Sequence, residues 1–173
     1  MITLCLDFGN TRLKAAIFVN AEFVEEIFLP DDSIATIEAL LNKFKPVSSI
    51  LSSVINHNET IEALLAAYTS FHKLSPATKL NFKIAVGKPE TVGADRLALM
   101  AAAVHFFPGR NNLVIGLGSC ITYNFVNQFN HFLGGSISPG MDMRFKSMND
   151  HTAKLPLVQA SWNFPLIGYD TKT

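Results

Sequence analysis

One pattern constrains the fold of this chain more than any other, because it occurs twice. The sequence opens with an apolar run, Ile2–Asp7, a tight Gly9-Asn10 turn, a second run at about Leu13–Val19 and a third at Phe23–Leu29. From Leu113 the pattern restarts: Leu113–Ile115, a glycine turn at Gly116-Leu117-Gly118-Ser119, then Cys120–Val126 and a third run from His131-Phe132-Leu133. Short apolar runs bounded by turn residues read as strands. Between the two copies lies a helix–strand alternation. Asp31-Asp32-Ser33 offers a helix start, and Ile34, Ile37, Leu40, Leu41 and Phe44 follow at helical spacing until Pro46. Ser49–Val54 reads as a buried strand, Glu59–Phe71 as an amphipathic helix, Lys79–Val86 as a strand and Leu97–Phe107 as a helix. The polar break at Pro108–Asn112 then divides the chain into residues 1–110 and 111–173. The expectation is an α/β protein of two related lobes.

Composition narrows the class. Fourteen acidic residues balance fourteen basic ones in 173 residues, so no basic footprint for nucleic acid exists. No apolar run is long enough to span a bilayer, and Asp7 interrupts the first one too early for a secretory leader. Cys5 and Cys120 lie in apolar segments without metal-ligand spacing. They read as core thiols of a reducing compartment, with a bond between them left open, and the cytoplasm is the expected location.

Four places concentrate polar groups. Asp7 closes an apolar strand before a turn whose amides can face an anion, parts that suit a magnesium nucleotide. A hairpin in which Asp7 caps its own turn accounts for the same residues. Gly93-Ala94-Asp95-Arg96 opens a helix, where an acidic residue is ordinary capping but a cation opposes the dipole, so Arg96 is expected to have an anionic partner. Gly116–Thr122 lacks the third glycine of a dinucleotide fingerprint, with Ile121 in its place, and suits a phosphate-binding hairpin or a plain turn. In Gly134–Gly140 two glycines are expected to close a strand, followed by Pro139-Gly140, either for close approach of a ligand or as a turn. No Walker A sequence occurs, the five histidines are dispersed, and Trp162 reads as core.

Taken in order, D-x-G-N-T-x-x-K from Asp7, P-x-x-V-G-A-D-R from Pro89, a glycine hairpin with a Thr, and G-G-x-I-x-P-G-M from Gly134 resemble the type III pantothenate kinases of the actin, sugar-kinase and acetate-kinase superfamily. The resemblance runs along the whole chain, with Lys154-Leu155-Pro156 and Gly168–Thr171 as later landmarks. It implies two ribonuclease-H-like lobes, the second incomplete in this sequence, and phosphorylation of pantothenate by ATP with Mg2+ to give 4′-phosphopantothenate in coenzyme A synthesis. Asp7, Gly9, Asn10, Thr11 and Lys14 would form the first phosphate site, with Asp7 organising magnesium directly or through water. Gly118 and Ser119 would form the second phosphate turn. Gly93, Ala94, Asp95 and Arg96 would bind pantothenate, Asp95 acting as the catalytic base, and Thr171 would reach the substrate across a homodimer interface.

The sequence departs from the family pattern at four places, one of them Ser119, which takes the place of the Thr at the family's second phosphate turn. Gly116 stands where the family has an Asp that helps bind a monovalent cation, which speaks against a potassium or ammonium site here. Asn124 replaces a common Asp, and Val86 stands where many members carry a tyrosine. These changes leave two alternatives open: a catalytically impaired relative that binds nucleotide or pantothenate, and another small-molecule kinase of the superfamily.

Overall fold

A computed structural model describes residues 1–159, 161, 165 and 167–171 of the chain. It is a mixed α/β fold with two sheets and, among the described residues, four α-helices. The first sheet has the order β3-β2-β1-β4-β5, built from β1 (Ile2–Phe8), β2 (Leu13–Val19), β3 (Glu22–Leu29), β4 (Ser48–Ser53) and β5 (Ser70–Lys73). The first three strands form an antiparallel meander, whereas β4 runs parallel to β1 and β5 parallel to β4. Helices α1 (Ile34–Phe44) and α2 (Thr60–Tyr68) supply the crossovers. Ser33 caps α1 as its sequence suggested, its Oγ accepting from Thr36 N at 3.2 Å.

Alternation along β1 and β4 sorts the residues by face. Leu4, Leu6, Phe8 and Leu51 join Ile37, Leu40, Leu41, Ile61 and Leu65 in a first core beneath α1 and α2. Ile50 points the other way, into a second core with Leu97, Met100 and Val104 of α3 (Ala94–Phe106) and with Val126 and Phe132. The last two belong to the second sheet, of order β6-β9-β8-β7, made of β6 (Lys83–Ile84), β7 (Asn112–Leu117), β8 (Cys120–Val126) and β9 (His131–Pro139). Helix α3 thus lies between the sheets, against β4 on one side and β7 and β8 on the other. A last helix, α4 (Met141–Asp150), follows β9.

Several expectations need correction. The second helix stops at Tyr68, and Phe71 lies in β5. The segment expected as a strand over Lys79–Val86 is one only at Lys83–Ile84. Gly134 and Gly135 sit within β9 instead of closing it, and Gly140 opens α4. Cys5 and Cys120 are free, which closes the open question of a bond between them, but both are half-buried instead of in a core. Trp162 falls outside the described residues.

Candidate active site

Asp7 stands near the end of β1, level with Lys14 of β2 on one side and Ser52 of β4 on the other. Because Leu6 and Phe8 enter the first core, Asp7 is on the opposite face of the sheet, the face on which α3 packs against β4, and it remains exposed. Asp95 is the second residue of α3, at the positive end of the helix dipole, and its Oδ1 accepts from Arg96 N at 2.8 Å. Gly93, the N-cap, makes room for it: a Cβ there would lie 2.6 Å from Asp95 Oδ1 and 3.6 Å from Val54 Cγ1.

Asp7 feels the charge of Asp95. Loss of hydration raises the Asp7 pKa first, the negative charge of Asp95 raises it further, and Lys14 opposes both, with Glu26 a smaller raising influence. A carboxylate held in this way gains most from a cation. Among the described residues no group of three or more His, Cys, Asp or Glu side chains can hold a metal ion by itself. A divalent ion would therefore rest on Asp7 and on oxygens that a ligand and water bring. That matches the habit of Mg2+, which keeps several waters and uses one or two carboxylates beside substrate phosphates.

The β1–β2 connection is a tight turn in which Gly9 N donates to Arg12 O at 3.1 Å, with Asn10 and Thr11 exposed. It borders a groove of about 560 Å3 lined also by Phe28, Pro30 and Ile55. Thr11 Oγ1 is hydrogen-bonded to Ser119 Oγ, so this turn meets the Gly118-Ser119 turn between β7 and β8. The start of α4 seats on the second turn: Gly140 N donates to Ser119 O at 2.9 Å, and a Cβ at Gly140 would lie 2.3 Å from Gly118 O. Two glycine turns and a helix N-terminus converge there, a combination of amide groups suited to phosphate oxygens. Lys14 is engaged by Glu26 at 2.8 Å and lies over the Phe28 ring, which Arg12 also flanks. It would exchange partners to meet a phosphate.

Arg96 corrects one expectation. Its Nε donates to the neutral Asn124 Oδ1 at 2.6 Å, its guanidinium lies 5.7 Å from the Phe132 ring centroid, and among the described residues it forms no ion pair. Asn124 is fully buried and holds its own place through Nδ2, which donates to Val114 O and Thr122 Oγ1 at 3.3 Å each. At Gly116, opposite Thr122, a Cβ would lie 2.8 Å from Thr122 Oγ1 and 2.9 Å from Leu99 Cδ1. The position lacks a carboxylate and has little room for one, so the residues present do not fit the monovalent-cation site. Val86 packs against the second core.

Thr171 lies exposed in a turn. Sequence reasoning also passed over His57, a buried histidine bonded to Ser53 Oγ at 2.9 Å and Glu62 Oε1 at 2.8 Å. Ser52 was passed over too. The serine-rich strand SSILSS was the available signal for Ser52, since buried hydroxyls call for partners.

Comparison with known proteins gives a consistent picture. The family model described as type III pantothenate kinase matches residues 3–173. A type III pantothenate kinase of Christiangramia forsetii is 42% identical over 174 residues, covering 99% of this chain and 72% of the relative. One from Bacteroides fragilis is 38% identical over 178 residues, covering 99% and 71%. Among solved structures, a Baf family protein of Campylobacter jejuni superimposes with a TM-score of 0.50 at 25% identity, covering 95% of this chain and 68% of the other.

Proposed function

The chain belongs to the type III pantothenate kinase family, and from that premise we propose that it transfers the terminal phosphoryl group of ATP to the primary hydroxyl of pantothenate, the first step of coenzyme A synthesis. The observation that supports this reading is that the charge of Asp95, at the start of α3, reaches Asp7, near the end of β1. One carboxylate serves as anchor for a metal–nucleotide complex, and the other, at a helix start, faces the acceptor alcohol. When bound, Mg2+ would neutralise charge on the triphosphate.

The chain's own residues do the rest. The amides of Asn10, Thr11 and Ser119, with Lys14, hold phosphate oxygens in line with the acceptor. Phosphoryl transfer through a loose transition state asks chiefly for such placement and charge neutralisation. Asp95 takes the hydroxyl proton as the oxygen commits to phosphorus. Arg96, steadied through Nε by Asn124, offers its remaining nitrogens to the pantothenate carboxylate in a bidentate pair.

Phosphate transfer followed with the parent and two variants tests these roles. Asp95→Asn is expected to keep ATP binding and to slow transfer by about 10²–10⁴-fold, and Arg96→Ala to raise KM for pantothenate with a smaller effect on kcat. An Asp95→Asn enzyme as fast as the parent removes Asp95 from the base role. Given Gly116, turnover is expected to be indifferent to replacing K+ by a larger inert cation. Binding of ATP and pantothenate by the parent without any transfer would instead favour the impaired-relative reading, which the crowding at Gly116 supports.

The meander followed by two parallel strands in the first sheet, and the repeated meander of β7, β8 and β9, support two ribonuclease-H-like lobes divided near residue 110. The exposed apolar row Leu113, Ile115 and Leu117 on β7 supports a homodimer, in which Thr171 would reach a neighbouring site. Balanced charge and free thiols support a cytoplasmic protein. No helix among the described residues is long and apolar enough to cross a membrane.

A further inference from the structure

Four of the six residues of β4 are serines, and three of them have partners. Ser48 Oγ is bonded to Thr3 Oγ1 at 2.9 Å, Ser49 Oγ to Thr69 Oγ1 at 2.6 Å, and Ser53 Oγ to His57 Nδ1 at 2.9 Å and to Ile55 O at 3.2 Å. Ser52 differs from them. It is 8% exposed, and its Oγ is buried with no hydrogen-bond partner among the described residues. It is also the serine level with Asp7 in the β1–β4 register. It shares a face with Ile50, two residues earlier, which packs into the core that α3 forms. The unpaired hydroxyl therefore lies on the face between the strand bearing Asp7 and the helix bearing Asp95.

A buried hydroxyl without a partner destabilises the protein that carries it, and native structures seldom keep one without a reason. We infer that Ser52 is a further binding residue of this site: when the site is occupied, its hydroxyl hydrogen-bonds a water in the hydration shell of the divalent cation that Asp7 anchors. The chemistry suits the partner. A hydroxyl offers two lone pairs and one proton, and the waters that Mg2+ retains are held close and donate strongly. This inference rests on the metal–nucleotide reading of the same site, and the ligand-free cost of the hydroxyl makes it testable apart from turnover.

The experiment compares the full chain with Ser52→Ala, using Mn2+ and a non-hydrolysable ATP analogue as probes and water-proton relaxation as the readout, beside thermal melting without ligand. Alanine removes an atom and adds none, so the variant is expected to fold and to melt about 2–4 °C above the parent. Its affinity for the Mn2+–nucleotide complex is expected to fall about tenfold. Parental affinity in the folded variant overturns the inference while leaving the kinase reading intact. A lower melting temperature with unchanged affinity also overturns it, because that marks a structural hydroxyl. A parent chain that binds no Mn2+–nucleotide complex overturns both readings.

Discussion

In the ligand-free protein, the charge on Asp7 is opposed by its surroundings. Burial and Asp95 push its pKa above the ordinary 3.8, with Lys14 only partly offsetting them. The folded chain therefore holds this proton more tightly than the unfolded chain does. The favourable contribution is fully present below 3.8 and is lost as the pH rises through the folded-state value. Asp7→Asn, which removes the charge and keeps the shape, is expected to melt above the parent at pH 7. The gap should close towards pH 4, and metal–nucleotide binding should vanish. Melting curves at both pH values check the sign, and a variant less stable than the parent at pH 7 contradicts it. Asp7 and Asp95 were legible in the sequence because carboxylates beside glycine turns and helix starts follow short-range rules. Asn124 as the partner of Arg96 was not legible, since 28 residues separate them and only strand β8 lying against α3 brings them together.

Among the elements, β2, β8 and α1 appear where apolar period and caps placed them. The failures share a cause. Helix α2 ends because Thr69 turns extended, its Oγ1 donating to Leu65 O at 2.7 Å, and the chain then pairs alongside β4, a long-range event invisible to local spacing. In β9 the glycines are there for the neighbouring strand. A Cβ on Gly135 would stand 1.7 Å from Tyr123 O, a backbone atom of β8 that cannot step aside without parting the strands. Gly135→Ala is expected to lower the melting temperature by more than about 10 °C or to prevent folding. A variant that melts within two or three degrees of the parent, roughly the effect of 1 kcal/mol, would show that β8 and β9 are less tightly matched than this.

On the scale of the whole molecule, the central fact is where α3 lies. It lies between the two sheets, so that from one helical turn the charge of Asp95 reaches Asp7 while Arg96 bonds Asn124 of β8. The two glycine turns close against each other on the same side through Thr11 and Ser119. If that contact holds the sheets together in solution, a stability double-mutant cycle with Thr11→Val and Ser119→Ala should give a coupling of about 0.5–1.5 kcal/mol. Additive effects would mean that the turns do not touch in the ligand-free protein.

By itself the sequence determined the strands and helices that periodicity and turn chemistry can specify, the order of the glycine motifs and the family, and it marked Asp7 and Asp95 as candidates for a site. Those signals act over a few residues, and the amino-acid order carries them directly. The tertiary structure decided that Asp7 and Asp95 lie within electrostatic reach, that Thr11 meets Ser119 across 108 positions, that Gly116 is crowded by the Thr122 and Leu99 side chains, and that the Ser52 hydroxyl has no hydrogen-bond partner among the described residues. Such relations depend on which strands pair and which faces bury, a choice made by the sum of many apolar contacts and encoded in no single segment.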